Sequence, residues 1–205
     1  MSRPSIALVD YGAGNLTSAK KALAAVGADF FVPAAPEALA GARGVVVPGV
    51  GHFGATRALG PAWIEALVAA IGEGRPLLGI CLGMQWLFEG SDEAPELPGL
   101  GLLSGRCHRL RGGSPPGSLK VPHVGWNGLA LTRDAPILDG VPPDAQVYFT
   151  HSYAAPVTRD AVAVAEHGER FAAAVQRGHV AGVQFHPEKS GDVGLRILRN
   201  FLLLT

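Results

Sequence analysis

Charge of one sign, long apolar runs and a cysteine framework are all missing from this sequence. Seventeen Lys and Arg residues balance seventeen Asp and Glu residues, so the formal net charge is zero. A neutral chain without a basic cluster is a poor candidate for binding nucleic acid or an anionic membrane surface. No apolar run approaches the roughly 18 residues of a membrane span, and no basic-then-apolar leader is visible. We therefore expect a soluble, cytoplasmic protein.

Cysteine and metal-ligand patterns are equally sparse. Cys81 and Cys107 are the only cysteines among 205 residues, and we expect both to be reduced. The seven histidines lack the spacing of metal ligands, so we predict no metal and no cofactor. Apolar residues make up 48% of the chain and charged residues 17%, which indicates a globular protein with a substantial core.

The order of apolar segments predicts an α/β fold. In the first half, short apolar strands alternate with helical stretches, a pattern typical of a doubly wound, mostly parallel central sheet with helices on both faces. Predicted strands there are 6–9, 30–32, 45–47 and 76–80, and predicted helices are 15–26, 63–71 and 82–88. In the second half the predicted strands are spaced more closely along the sequence, at 102–110, 148–151, 162–166, 172–176 and 180–184, and a predicted helix follows at 193–203. They predict an antiparallel extension of the sheet, with loops at 93–101 and 112–117 and one domain over 1–205.

Residues 79–83 (GICLG) carry the strongest chemical signal. They join a predicted buried strand to a predicted helix, with Cys81 between glycines at 79 and 83. This is the spacing of a nucleophile elbow, in which any Cβ at the two flanking positions would collide with the strand or the helix. The helix that follows directs its amide groups and positive dipole end at the sulfur, which favours the nucleophilic thiolate. A cysteine is more often a small buried apolar residue, but this spacing favours a nucleophile.

A base and an orienting acid for Cys81 are predicted at His186 and Glu188. Both follow the strand 180–184, so they stand at the same carboxyl edge of the sheet as the elbow. Pro187 between them fixes φ and allows both side chains to face the site. For the oxyanion of a tetrahedral intermediate, we predict the amide of Leu82 and a second donor from Gly49, Val50 or Gly51. An ordinary glycine turn is the alternative for that second segment.

The glycine-rich turn at 10–15 (DYGAGN) is not a dinucleotide site. Thr17 stands where the third glycine of that motif would fall. We expect the turn to lie at the functional edge of the sheet.

Together these motifs resemble those of the class I (triad) glutamine amidotransferases. The motifs are VPGVG at 47–51, GICLGMQ at 79–85 and QFHPEKS at 184–190. Within that family, the segments DYGAGN at 10–15, KVPHVGWN at 120–127 and YFTHSY at 148–153 are similar to those of glutaminase subunits of imidazole glycerol phosphate synthases, from histidine biosynthesis. The resemblance runs over nearly the whole chain.

The resemblance implies a reaction and a partner. Cys81 would attack the side-chain amide of glutamine, and His186, oriented by Glu188, would pass a proton to the leaving ammonia. Gln85, Gly51 and the segment His151, Ser152 and Tyr153 would hold the substrate. Ammonia would pass to a cyclase subunit, a (β/α)8 barrel, in a heterodimer. Positions similar to those facing that partner are Asn15, His123, Trp126, Asn127, Tyr148 and Lys189; for Trp126 a place in the core is an equal alternative.

Two other functions stay open at this point. One is a glutaminase of another pathway, such as the subunit that feeds pyridoxal phosphate synthesis, or a γ-glutamyl hydrolase. The other is a non-catalytic binding module that has kept the fold. The segment 120–127 argues against the first alternative, and the intact triad argues against the second.

Overall fold

A computed structural model describes residues 5–112 and 119–205, so most of the predicted loop at 112–117 lies outside the described residues. The α-helices are α1 (Leu16–Ala25), α2 (Pro61–Gly72), α3 (Leu82–Trp86) and α4 (Gly191–Leu203). The strands are β1 (Ser5–Leu8), β2 (Asp29–Phe31), β3 (Gly44–Val47), β4 (Leu77–Ile80), β5 (Gly90–Ser91), β6 (Arg106–Arg109), β7 (His123–Gly128), β8 (Ala130–Leu131), β9 (Gln146–His151), β10 (Tyr153–Ala154), β11 (Ala161–Glu166), β12 (Arg170–Arg177) and β13 (Val180–Val183). Short 3-10 helices cover Pro36–Gly41, Phe53–Ala58, Pro136–Leu138 and Pro187–Lys189.

An eight-stranded sheet forms the centre of the fold, in the order β2-β1-β3-β4-β13-β12-β11-β8. The first five strands are parallel, and β12, β11 and β8 continue the sheet antiparallel. Every residue of β3, β4 and β13 is buried, as expected for parallel strands covered on both faces. The predicted fold class is confirmed.

Apolar side chains lie on both faces of the sheet because successive residues of a strand point in opposite directions. In β1, Ile6 and Leu8 belong to one buried cluster together with Leu23 of α1. Ala7 belongs to the other cluster, together with Leu67 of α2. The two cores hold the sheet rigidly between helices, so the carboxyl ends of its parallel strands form a fixed platform.

Outside the central sheet, the described residues form two small sheets, which the sequence-based prediction did not anticipate. The predicted strand at 102–110 shrinks to β6, which pairs with β10 and β5. β7 was not predicted as a strand, since Gly125 (φ 135°) and polar residues interrupt its apolar pattern. It forms by antiparallel pairing with β9, from His123 opposite His151 to Gly128 opposite Gln146. We call this pair the β7–β9 ribbon.

The predicted first helix has the expected ends. The Asn15 side chain accepts a hydrogen bond from the Ser18 amide, and Gly27 (φ 76°) follows the last turn.

Across 5–112 and 119–205, no helix combines the length and apolar character needed to cross a bilayer.

Candidate active site

Cys81 sits in a strained turn between β4 and α3. Its φ of 53° and ψ of −107° lie in a region that residues with a Cβ rarely occupy. The neighbouring glycines are required as predicted. A Cβ at Gly79 would lie 2.7 Å from backbone atoms of Gly83 and Met84, and one at Gly83 would overlap the Val47 carbonyl oxygen of β3. The turn therefore closes only with glycine at both positions.

The helix after the elbow is shorter than predicted. α3 ends at Trp86, and the backbone then tightens so that the Phe88 amide donates to the Gln85 carbonyl. A helix of five residues carries only a small aligned dipole. Individual hydrogen bonds and neighbouring charges are therefore more important for the sulfur than the predicted helix dipole.

The topology brings His186 and Glu188 to the same edge as Cys81. β13 lies beside β4 in parallel register, and the Cys81 amide donates to the Val183 carbonyl at 2.8 Å. The 3-10 turn after β13 folds Glu188 back, so that its Oε1 lies 2.8 Å from Nδ1 of His186. The His186 backbone is held by a donation to Tyr148 O and by the Ser190 hydroxyl.

The charges around His186 favour its protonated form. Burial alone lowers the pKa of this imidazole, but the neighbouring Cys81 sulfur and Glu188 carboxylate outweigh it and raise the pKa to about 10. Nε2 of His186 is buried and makes no hydrogen bond in the described structure. One ring nitrogen is therefore fixed by Glu188, and the other is available for proton transfer.

Two of the predicted oxyanion donors, the amides of Leu82 and Val50, are occupied by the protein itself. The Leu82 amide donates to the Gly49 carbonyl at 3.3 Å, and the Val50 amide of the same peptide unit donates to the Ala13 carbonyl at 3.2 Å. The Gly49–Val50 peptide thus points its oxygen toward the Leu82 amide and its N–H toward the Ala13 carbonyl. Gly51 (φ 97°) is exposed and follows this peptide.

A pocket of about 260 Å³ opens beside Cys81. The predicted residues Gly51, Leu82, Gln85, His151, Ser152 and Tyr153 line it together with Glu93, Pro122 and Thr150. Sequence reasoning missed Glu93, whose Oε2 accepts from the Phe53 amide at 2.7 Å, because it lies in a segment read only as a loop. A larger groove of about 670 Å³ lies between β8 and the end of α4 and contains none of the predicted residues.

Two further side chains near the sulfur were also missed. The Gln184 amide lies 3.5 Å from Cys81 Sγ, and its signal in the sequence was a polar residue ending an otherwise apolar strand. The Tyr11 hydroxyl packs against Gly49, is buried and has no hydrogen-bond partner in the described structure. Burial and the neighbouring Cys81 raise the pKa of Tyr11 well above its ordinary value.

The predicted partner-facing residues divide into exposed and buried ones. Trp126 is 57% exposed and packs edge-on to Tyr148, over whose ring Lys189 Nζ lies at 5.5 Å from the centroid. A core position for Trp126 is therefore wrong. Asn15 is exposed, and Asn127 is partly buried.

His123 requires a correction. It is only 4% exposed and stacks between Phe149 and His167, so its imidazole cannot form a surface contact as predicted. β7 alternates between its two faces, which turns His123 inward while Val124 and Trp126 point outward.

Comparison with known proteins identifies a family for this chain. Residues 7–204 match the family model "Glutamine amidotransferase class-I". The chain is 50% identical to the "Imidazole glycerol phosphate synthase subunit HisH" of Gloeobacter violaceus, covering 97% of this chain and 89% of that protein. It is 44% identical to the protein of that name from Methanothermobacter thermautotrophicus, over 96% of this chain and 97% of the other.

Among solved structures, the fold is similar to one described as "Crystal structure of glutamine amidotransferase", with a TM-score of 0.75 and 22% identity over 97% of both chains. It is also similar to "Structure of PurLQS from Thermotoga maritima", with a TM-score of 0.77 and 20% identity over 98% of this chain and 99% of that one. From the family model and these relatives together, the chain belongs to the class I glutamine amidotransferases, in the group of the HisH subunits.

Proposed function

We propose that this chain is the glutaminase subunit of an imidazole glycerol phosphate synthase and that Cys81, His186 and Glu188 carry out its reaction. The observation that carries the proposal is the strained Cys81 turn beside an imidazole paired with a carboxylate, at the mouth of a pocket. Nucleophile, base and orienting acid stand in the order that covalent amide cleavage needs.

The reaction proceeds in two balanced steps. Cys81 Sγ attacks the side-chain carbonyl carbon of glutamine as a thiolate, and the resulting tetrahedral intermediate loses the amide nitrogen. His186 Nε2 gives that nitrogen its proton, so that ammonia leaves and a γ-glutamyl thioester remains. A water molecule then attacks the thioester and gives a proton to His186, and glutamate and the Cys81 thiolate are released. Gln85 and the pocket segment 150–153 hold the amino-acid end of the substrate.

We further infer that the isolated chain is held in a low-activity state. The Gly49 carbonyl oxygen accepts the Leu82 N–H, which the proposed oxyanion would need as a donor. Glycine at position 49 allows this peptide to rotate, and rotation would release the Leu82 amide and turn the Val50 amide toward the site. Binding of the partner and its nucleotide ligand would favour the rotated form.

The partner is a cyclase subunit with a (β/α)8 barrel, which uses the ammonia to close an imidazole ring. The cluster of exposed Trp126, half-buried Tyr148 and exposed Lys189 beside the triad supplies the aromatic anchors typical of an interface centre. We propose that the chain acts as one domain in a cytoplasmic heterodimer. The HisH relatives favour this function over the pyridoxal phosphate alternative.

Glutamine hydrolysis by the chain alone and with the cyclase and its nucleotide ligand tests the proposal. We expect little turnover by the chain alone, a large increase in the complex, and complete loss in Cys81→Ala. Equal turnover with and without the partner would refute the gating by Gly49–Val50, and an active Cys81→Ala variant would refute the thioester mechanism. A glutamine-mimicking electrophile that fails to label Cys81 in the complex would favour the binding-module alternative.

A further inference from the structure

The side chain of Gln184 is a buried polar group that the reaction above leaves without a role. It is fully buried, and its Nε2 lies 3.5 Å from Cys81 Sγ. We propose that Gln184 is a positioning residue, whose amide N–H holds the Cys81 sulfur and stabilises its thiolate. The proposal rests on the proposed function, because it takes Cys81 as the nucleophile.

The hydrogen-bond network decides which end of the Gln184 amide faces the sulfur. The Tyr153 carbonyl oxygen can only accept, so the group that meets it at 2.8 Å must be the Nε2 donor of Gln85. The second N–H of the same Gln85 amide meets Gln184 at 3.0 Å, where it requires an acceptor. Gln184 therefore turns Oε1 toward Gln85, and its N–H group is left facing Sγ.

The second hydrogen bond to the Tyr153 carbonyl oxygen fixes the tautomers of two histidines. His151 Nδ1 donates to the same oxygen at 2.8 Å, so His151 Nε2 is the acceptor of the contact with His123 Nδ1 at 3.0 Å. Asn127 donates to His123 Nε2 at 3.3 Å. Burial lowers the pKa of His151 to about 3 and that of His123 to about 4, so both rings are neutral near pH 7. Each neutral ring has one donor and one acceptor, as this chain of contacts requires.

A fixed N–H donor is useful to a sulfur whose charge changes twice in each cycle. When the thioester breaks, the sulfur leaves as a thiolate, and hydrogen bonds to an ionised acceptor are stronger than those to a neutral one. His186 gives up its proton during the first step and takes one back in the second, whereas the amide of Gln184 does not titrate. Gln184 therefore stabilises the charged sulfur at both stages and also links it to Gln85 in the substrate pocket.

The test measures alkylation of Cys81 by iodoacetamide in the full chain as a function of pH, with mass spectrometry separating Cys81 from Cys107. Gln184→Met removes both hydrogen-bonding groups at similar volume. Gln184→Glu keeps the acceptor for Gln85 but replaces the donor by a negative oxygen. We expect alkylation at pH 7 to slow about tenfold in the Met variant, more in the Glu variant, with the midpoint of the pH profile raised by about one unit.

Gln176→Met is the matched control. Gln176 is also buried, in β12, and its side chain bonds backbone groups of Ile137 and Gly178 away from the sulfur. We expect it to lower thermal stability but to leave the alkylation profile unchanged. Wild-type profiles in the folded Gln184 variants, or an equal shift in Gln176→Met, would overturn the proposal. If the Glu variant does not fold, the Met variant carries the test. Activity retained in Cys81→Ala would instead reject the proposed function itself.

Discussion

At the scale of single residues, the proposed reaction gives the Glu188 carboxylate a defined electrostatic task. Its Oε1 lies 2.8 Å from His186 Nδ1, where it would fix the ring orientation and stabilise the imidazolium. Glu188→Gln keeps the shape and one acceptor oxygen but removes the charge. We expect glutamine hydrolysis by the complex to fall about a hundredfold or more. A loss of less than fivefold, with the variant folded and partner-bound, would contradict the assigned role.

The Cys81 sulfur and the Glu188 carboxylate beside His186 make the stability of the fold depend on alkaline pH. The pKa of His186 is raised to about 10 from an ordinary 6.5, so the folded state binds this proton more tightly than the unfolded state. The stabilisation of the folded state by protonated His186 is fully present below pH 6.5 and is lost as the pH rises through 10. Urea unfolding of wild type and Glu188→Gln at pH 7, 8.5 and 10 checks this. We expect the free-energy difference between the two proteins to shrink as the pH rises, and a constant difference would speak against it.

At the scale of elements, the junction of β4 and α3 tolerates no added atom at Gly83. A methyl group there would overlap the Val47 carbonyl oxygen of β3, so the helix would have to move away from the sheet. We expect Gly83→Ala to lower the free energy of unfolding by about 3 kcal/mol. Gly72, at the end of α2, has open space around it. Gly72→Ala should therefore be neutral or stabilising by up to about 1 kcal/mol. Similar effects of the two substitutions on the free energy of unfolding would contradict the predicted clash between a Cβ at position 83 and the Val47 carbonyl oxygen.

The β7–β9 ribbon makes the fold sensitive to acid. Burial lowers the pKa of His151 to about 3 and that of His123 to about 4. As the pH falls, each ring is therefore protonated at a higher pH in the unfolded chain than in the folded one. Stability is then lost as the pH falls from about 6.5 toward 4, by on the order of 1–2 kcal/mol per histidine between pH 7 and pH 5. His123→Asn should flatten the fall in unfolding free energy over that range. If the unfolding free energy of this variant falls with pH as steeply as that of the wild type, His123 does not contribute to the acid sensitivity.

At the scale of the whole molecule, one exposed aromatic residue stands beside the active-site edge. Trp126 is 57% exposed, yet it is held against Tyr148 in the β7–β9 ribbon, so little side-chain entropy is lost when a partner covers it. We expect Trp126→Ala to weaken binding to the cyclase about 10- to 100-fold, and to change the free energy of unfolding by no more than about 0.5 kcal/mol. Titration calorimetry measures the first effect and urea unfolding the second.

Val68→Ala is the matched control for that experiment. Val68 is 47% exposed on α2 and belongs to none of the predicted partner-facing positions. Its substitution should leave cyclase binding unchanged. Equal losses of affinity in the two variants would show that the Trp126 surface has no special part in the complex.

The sequence by itself determined the elements that local chemistry dictates. The glycine spacing around Cys81 permits a strand-to-helix elbow, in which a Cβ at either flanking position would overlap backbone. The alternation of apolar strands and helices indicated a covered parallel sheet, and Pro187 placed His186 and Glu188 in a turn where both could face one site.

Only the tertiary structure decided what depends on contacts between distant segments. β7 becomes a strand by pairing with β9, and this pairing turns His123 inward and Trp126 outward. The Gly49–Val50 peptide takes its orientation from Ala13 and Leu82, and Gln184 meets the sulfur because β13 lies beside β4. A local sequence pattern limits the conformations that a residue can adopt. Contacts with residues far along the chain select one of them, and these contacts form only when the sheet is assembled.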